Sequence, residues 1–304
     1  MDFGAVRHQV FASYGRREWD VALDLVREAR PQFPERDSIL TFWEACLLSL
    51  DGQPQEALAV LEEGLERGLF WDAGILADPD LNNARELENW VDFERRSVAV
   101  IESLDLERPE TMVRRADDPA GTVIALHGAG DVPEDFFAEW AAATPVEWTL
   151  IVPVGDVPVT DIKWAWPYDL STDSLVESLE QLTLIPPIVM SGYSQGARMA
   201  AKVAWNGLVR TSGLILSAPT LAPEVWTESQ RSPIPLYAVV GTDDLAYEPL
   251  LSTAESLKRD GVPVQLDIRK DLGHVPPEDL HQVVADGLAW IREQTDPTDG
   301  GTGP

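Results

Sequence analysis

The chain has 304 residues, enough for one large domain and a smaller one, and its 52 acidic against 23 basic residues give a formal net charge of −29. So acidic a surface repels phosphate groups and anionic membranes, and we therefore expect no nucleic-acid partner. Because no apolar stretch approaches the roughly 18 residues of a membrane helix and the N-terminus has no secretory signal pattern, we expect a cytoplasmic protein without an integral membrane segment.

The first hundred residues follow helical patterns that contain an internal repeat. The segment 17–34 superposes on 53–68 at an offset of 35, which aligns Ala22 with Ala57. Another amphipathic helix is predicted between them, and a helical pattern over 80–104 follows. Paired helices with a period near 34 and an Ala-Leu signature resemble tetratricopeptide repeats, here about one and a half of them.

We expect residues 1–105 to form this small all-helical, repeat-like domain. Repeats of this kind bury their apolar faces only against neighbouring structure. Three roles therefore stay open for the domain. It can cover an apolar surface of the rest of the chain, it can form a lid over the active site, or it can bind a protein partner or a second copy of the chain.

From residue 106 the pattern changes to short β-branched runs that alternate with helical stretches. Six strands are predicted, at 122–126, 148–154, 187–191, 213–217, 236–241 and 264–269. Nearly continuous apolar strands separated by helices indicate an α/β fold, a mostly parallel sheet with helices on both faces. We expect this domain to span 106–294, and residues 295–304, which lack apolar content, to form a disordered tail.

Neither a disulfide nor a metal site is predicted. The single cysteine, Cys46, lies in an apolar helical run, which is typical of a buried hydrophobic residue. The four histidines include no His-x-x-x-His or His-Glu-x-x-His pair of the kind that binds zinc. We therefore expect no metal and no cofactor.

Residues 192–196, Gly-Tyr-Ser-Gln-Gly, match G-x-S-x-G in a setting typical of a catalytic nucleophile. They follow a predicted strand and open a predicted helix, as a nucleophile elbow requires. The glycines leave room for a strained turn that lifts the hydroxyl of Ser194 above the sheet edge. The alternative is a tight turn of small residues without chemistry, since a chance match is expected in about one chain in ten of this length.

A base and an acid for Ser194 follow it in the order that open α/β sheets use. His274 lies in a loop after the last predicted strand, so we predict it as the base. Asp243 and Asp244 both follow the preceding strand, at the edge where such sheets place their sites. Either aspartate can orient the imidazole, and we favour Asp244. The other would accept hydrogen bonds in the turn or would contact the catalytic residues from behind.

The loop LHGAGD, after the first strand of the α/β domain, supplies the remaining component of an acyl-transfer site. Two backbone amides aimed at the developing oxyanion lower the barrier by on the order of 3 kcal/mol each. We expect Ala129 and Gln195, the residue after the nucleophile, to donate these amides. His127 in the same loop is predicted to form structural hydrogen bonds.

The stretches LHGAGD, GYSQGARMA, GTDD and GH together resemble the motifs of the α/β-hydrolase superfamily, and more narrowly its carboxylesterase and phospholipase branch. The resemblance spans about 108–293. It implies an α/β-hydrolase fold, serine esterase activity and the acid role for Asp244. The segment DIKWAWPYDL differs from the tryptophan-containing loop of that branch, and the helical N-terminal region lies outside its core.

Aromatic residues near the nucleophile are candidates for the walls of a substrate pocket. Trp164 and Trp166 lie in an irregular segment, and Tyr193 precedes the nucleophile. Such rings suit an acyl chain or an aryl ester. The alternative for the two tryptophans is packing onto the helical region.

The predicted function is cleavage of a small-molecule carboxylic ester with a short to medium acyl or aryl group. Fold and triad do not separate this chemistry from that of a peptidase, a thioesterase or an acyltransferase. A third reading is a non-catalytic scaffold that binds a partner through its helical repeats. A scaffold has no physical need for a complete set of nucleophile, base, acid and oxyanion loop.

Overall fold

A computed structural model describes residues 3–104, 106–221 and 234–295. The chain divides into two compact units. The helical unit contains residues 1–107 and, in addition, residues 158–163, and the sheet unit contains the remainder. The predicted domain limits stay predictions, and nothing in the sequence pattern assigned residues 158–163 to the helical unit.

The helical unit contains seven α-helices in the described residues: α1 (Phe3–Gly15), α2 (Trp19–Ala29), α3 (Asp37–Leu50), α4 (Pro54–Glu66), α5 (Ala73–Leu76), α6 (Asn82–Arg85) and α7 (Trp90–Ser103). Consecutive helices from α1 to α4 pack against one another. The aligned positions Ala22 and Ala57 are both fully buried in the core that these helices share. The likeness to tetratricopeptide repeats stays a prediction.

The helical pattern predicted over 80–104 is interrupted in the structure. Between α6 and α7 the chain makes a turn, in which Leu87 N donates to Ala84 O and Trp90 N donates to Leu87 O. In one continuous helix Ala84 and Trp90 would point about 120° apart around the axis. The turn allows both side chains to be buried in the same core.

Residues 158–163 belong to the helical unit through specific hydrogen bonds. Asp72 N donates to Val159 O at 3.0 Å, and the hydroxyl oxygens of Ser38 and Thr160 lie 3.4 Å apart. Val159 and Thr160 are both buried. These contacts attach the segment to the helical unit.

The sheet unit is built on a seven-stranded sheet with strand order β1-β3-β2-β6-β7-β8-β9. The strands are β1 (Met112–Arg114), β2 (Gly121–Leu126), β3 (Trp148–Val152), β6 (Ile188–Tyr193), β7 (Gly213–Ser217), β8 (Leu236–Gly241) and β9 (Val264–Arg269). Two short strands, β4 (Val157–Pro158) and β5 (Trp164–Ala165), form a separate pair. All neighbours in the large sheet are parallel except the edge strand β1, which is antiparallel to β3.

Helices cover both faces of this sheet, as predicted. They are α8 (Pro133–Ala143), α9 (Asp173–Glu180), α10 (Ser194–Trp205), α11 (Tyr247–Arg259) and α12 (Leu280–Thr295). Alternate residues of β2 enter different cores: Ile124 packs with α9, α10 and α11, and Val123 packs with α8 and α12. The predicted α/β fold class is therefore confirmed. The edge strand β1 was missed because its three residues are only half-buried and carry no apolar run.

Of the predicted tail, Thr295 is the last residue of α12, and 296–304 lie outside the described residues. Within the part of the chain that the structure describes, every helix is too short or too polar to span a bilayer.

Candidate active site

Ser194 lies at a sharp strand-to-helix turn, the first residue of α10 directly after β6. Its backbone has φ +51°, a left-handed conformation that is costly for a residue with a side chain. The turn also requires Gly196, because a Cβ there would lie 2.2 Å from Leu126 O and 2.3 Å from His127 O. The glycine thus lets α10 approach the start of the loop after β2.

The structure brings Ser194, His274 and Asp244 together at the carboxyl edge of the sheet. His274 Nε2 lies 2.8 Å from Ser194 Oγ, and His274 Nδ1 lies 2.8 Å from Asp244 Oδ1. The carboxylate can only accept, so Nδ1 carries a proton and Nε2 is free to accept one from the hydroxyl. Such an arrangement can activate the serine as a nucleophile.

Asp244 is buried and firmly oriented. Its side chain has no solvent exposure, and Oδ1 accepts a second hydrogen bond from Ala246 N at 2.8 Å. The neighbouring Asp243 is exposed, and its Oδ1 accepts from the hydroxyl of Thr242 at 3.1 Å. The sequence did not decide which of the two aspartates contacts the imidazole of His274. In the structure it is Asp244 that does so.

Tyr193, which was predicted as a pocket residue, contacts the loop that carries His274. Its hydroxyl donates to His274 O at 2.7 Å, and the two rings have centroids 5.4 Å apart. Its ring also lies against Gly128, where an added Cβ would be 2.8 Å from Tyr193 Cδ1. Tyr193 thus connects the loops that carry His274 and Gly128. Its assignment to a pocket stays a prediction.

We expect the variant Tyr193→Phe to lose about five- to tenfold in kcat while KM changes little. Phenylalanine keeps the ring contacts but removes one hydrogen bond, worth about 1 kcal/mol, that fixes His274. Steady-state ester hydrolysis measures the effect. Tyr14→Phe is the matched control, because it removes a similar hydrogen bond to Asp80, 3.0 Å long, within the helical unit. An unchanged kcat in Tyr193→Phe would show that the hydroxyl does not position the histidine.

The loop after β2 carries Ala129, one of the two predicted oxyanion donors. Asp131 Oδ2 accepts from Gly128 N at 2.7 Å and so closes a tight turn around Ala129. Among the described residues no group accepts from the Ala129 amide. The Gln195 amide lies in the first turn of α10, where amides lack intrahelical acceptors. Both predicted amides can therefore bind an anionic oxygen, a role that stays a prediction.

His127 anchors the start of this loop. The ring is fully buried, with Nδ1 2.8 Å from Gly128 O and Nε2 accepting from Gly155 N at 3.0 Å. Since Nε2 accepts, Nδ1 carries the proton and the ring is neutral. Burial lowers the pKa of His127 from its ordinary value, which keeps the ring neutral. The residue holds the loop rather than exchanging protons.

The two tryptophans proposed for the pocket are almost completely buried. The ring of Trp166 stacks on His127 with centroids 5.0 Å apart, and its Nε1 donates to His127 O at 2.7 Å. Trp164 pairs with Asp131 through its backbone. Their assignment to a substrate pocket stays a prediction. The packing of Trp166 on His127 had no signal in the sequence.

Metal-ligating atoms of three side chains come close in the helical unit. One ligand atom each from Cys46, Asp78 and Asp80 lies within 4.8 Å of the others. The carboxylates already have partners, because Asp80 Oδ1 accepts from Tyr14 and Asp78 Oδ1 accepts from Asp80 N. Burial raises the pKa of the Cys46 thiol well above its usual value, which opposes the thiolate that a metal needs.

No protein-family model matches the sequence, and no curated protein does. Solved structures are similar to it. An uncharacterized protein from Bacillus cereus ATCC 10987 has a TM-score of 0.54 at 20% identity, covering 97% of this chain and 100% of its own. Esterase PE8 has a TM-score of 0.52 at 21% identity, covering 61% and 100%. Acyl-protein thioesterase 2 of Zea mays has a TM-score of 0.50 at 19% identity, covering 60% and 98%.

These likenesses, together with the sheet order, establish the α/β-hydrolase fold with esterase and thioesterase neighbours. The fold expected from the sequence motifs is therefore confirmed. The narrower resemblance, to the carboxylesterase and phospholipase branch, stays a prediction.

Proposed function

We propose that the protein is a serine hydrolase that cleaves carboxylic esters of short to medium acyl or aryl groups. The observation that carries this proposal is the pair of 2.8 Å contacts that His274 makes, one to Ser194 Oγ and one to Asp244 Oδ1. A serine hydroxyl becomes a nucleophile at neutral pH when an imidazole takes its proton and a carboxylate orients that imidazole. A scaffold protein would gain nothing from a serine held at φ +51° beside such a base.

The reaction begins when Ser194 Oγ attacks the ester carbonyl while His274 Nε2 takes the hydroxyl proton. Negative charge develops on the carbonyl oxygen and is stabilised by the amides of Ala129 and Gln195. The bond to the alcohol oxygen then breaks, and His274 returns the proton to that oxygen as the alcohol leaves. Ser194 is now esterified by the acyl group.

Water completes the cycle. His274 Nε2 removes a proton from a water molecule, whose oxygen attacks the acyl carbonyl. The second tetrahedral intermediate collapses, Ser194 Oγ recovers the proton from His274, and the carboxylic acid leaves. In both steps the carboxylate of Asp244 stabilises the charge of the imidazolium. In the structure this carboxylate is 2.8 Å from His274 Nδ1, and its side chain has no solvent exposure.

The same site can attack a thioester, because the nucleophile and the oxyanion donors are identical for both acyl groups. The fold neighbours include an esterase and an acyl-protein thioesterase, and a shared fold does not decide between these substrates. Thioesters, peptides and acyl transfer to another alcohol are therefore the alternatives to be compared directly with esters.

We expect a fluorophosphonate probe to label Ser194 and to block ester hydrolysis in parallel. The matched test uses the p-nitrophenyl ester, the thioester and the anilide of one and the same carboxylic acid, each measured by kcat/KM. Highest values for the esters support the proposal. Thioester values more than about tenfold higher would replace the ester assignment but keep the triad, and the absence of both labelling and turnover would refute a hydrolase.

A further inference from the structure

The side chain of Gln195 makes a paired hydrogen bond that the reaction above does not use. Its Oε1 accepts from Trp166 N at 3.0 Å, and its Nε2 donates to Trp166 O at 2.9 Å. Two reciprocal bonds to one residue's backbone reproduce the pairing of a β-strand. They fix the backbone of Trp166 against the first turn of α10, which also carries the Gln195 amide.

Two residues before Trp166, Trp164 is bonded to the loop after β2 that carries Ala129. We call this loop, residues 126–131, the oxyanion loop. Trp164 N donates to Asp131 O at 3.0 Å, and Gly130 N donates to Trp164 O at 3.0 Å. The indole of Trp166 adds a third bond to this loop, at His127 O. Residues 164–166 therefore connect Gln195 with the residues on both sides of Ala129. We call residues 164–166 the connecting segment.

The backbone of the connecting segment is closely packed within the sheet unit. Ala165 is fully buried, and its carbonyl faces Gly155 so closely that a Cβ on that glycine would lie 2.2 Å from Ala165 O. A buried backbone group that loses its hydrogen-bond partner destabilises the arrangement that leaves it unpaired. Loss of the Gln195 side-chain bonds would take the partners from the N and O atoms of Trp166, a residue that is itself buried, so we expect the segment to shift.

We propose that Gln195 is a positioning residue. By holding the connecting segment, its side chain sets the distance between the backbone amides of Ala129 and Gln195. The proposal rests on the proposed serine-hydrolase function. The amide of Gln195 and the amide of Ala129 lie on different elements, α10 and the loop after β2. Residues 164–166 bridge these elements through hydrogen bonds at both ends.

The first test is Gln195→Met, which keeps the length of the side chain and the backbone amide but removes both bonds. We expect kcat to fall about 10- to 100-fold, less than the loss of a whole oxyanion donor, with KM changed by no more than about threefold. The rate of fluorophosphonate labelling should fall in parallel. Gln282→Met is the control, because Gln282 is an exposed glutamine of α12 whose side-chain Nε2 donates to Asp286 Oδ1 at 2.7 Å.

Gln195→Glu gives a readout that a purely structural role would not move. A protonated glutamic acid has the donor and the acceptor of glutamine, whereas the carboxylate lacks the donor and faces Trp166 O. We therefore expect the ratio of variant to wild-type kcat to rise as the pH is lowered.

The outcomes separate the two proposals. Wild-type protein that is neither labelled nor active would refute the hydrolase itself. Labelled and active wild type, with Gln195→Met at wild-type kcat or with a pH-independent ratio for Gln195→Glu, would overturn the positioning role alone. A lower melting temperature of Gln195→Met with unchanged kcat at 25 °C would reduce the side chain to a stabilising contact.

Discussion

Replacing Ser194 by alanine should lower ester kcat/KM by about a thousand-fold or more and abolish fluorophosphonate labelling. The variant keeps the oxyanion amides and the imidazole but has no oxygen to form the acyl-enzyme, so only the activity of a bound water remains. Ser252→Ala is the control, because it removes a hydroxyl from an exposed serine of α11 and should keep wild-type kinetics.

A second substitution separates chemistry from stability at this position. Because Ser194 has φ +51°, glycine fits its backbone without strain, whereas alanine does not. We expect Ser194→Gly to be as inactive as Ser194→Ala but more resistant to urea, by up to about 1 kcal/mol. Substantial turnover by either variant would mean that another group is the nucleophile. Equal stabilities would contradict the strain assigned to the turn.

The sequence predicted much of the candidate site because its components lie on regular elements. Apolar runs marked the six parallel strands, and in a parallel sheet the carboxyl ends of strands share one edge. Ser194, Asp244 and His274 each follow such a strand, so the sequence alone placed them at one edge of the sheet. The choice between Asp243 and Asp244 required the structure. The side chains of adjacent residues in a turn point in different directions, and the sequence pattern does not show which of the two points toward His274.

The connecting segment and its contacts could not be predicted. Trp164 bonds to the loop after β2 through its backbone N and O atoms. Because every residue other than proline has these two groups, the sequence does not indicate which residues pair. The extension of the helical unit to include 158–163 depends on bonds from Asp72 and Ser38, which lie far away in the sequence. Gly155 shows the same limit, since only the structure reveals the carbonyl that requires it.

The two adjacent aspartates should respond very differently to the same change. We expect Asp244→Asn to lower kcat/KM by about a thousand-fold or more, and Asp243→Asn to change it by no more than about threefold. Asparagine removes the charge that stabilises the imidazolium, and if its amide nitrogen faces Nδ1 the imidazole must adopt the other tautomer. Nε2 would then carry a proton and could not accept one from Ser194.

The opposite orientation of the asparagine does not restore activity. It would keep an oxygen toward His274 but place the amide nitrogen where Asp244 Oδ2 lies, a buried position without a hydrogen-bond partner among the described residues. An unsatisfied buried donor costs about 1–3 kcal/mol, so this arrangement is also disfavoured. Steady-state kinetics of both variants, with urea unfolding of each, distinguish these effects. A large loss in Asp243→Asn with near-normal Asp244→Asn would assign the acid to the exposed aspartate and contradict the 2.8 Å contact as the functional one.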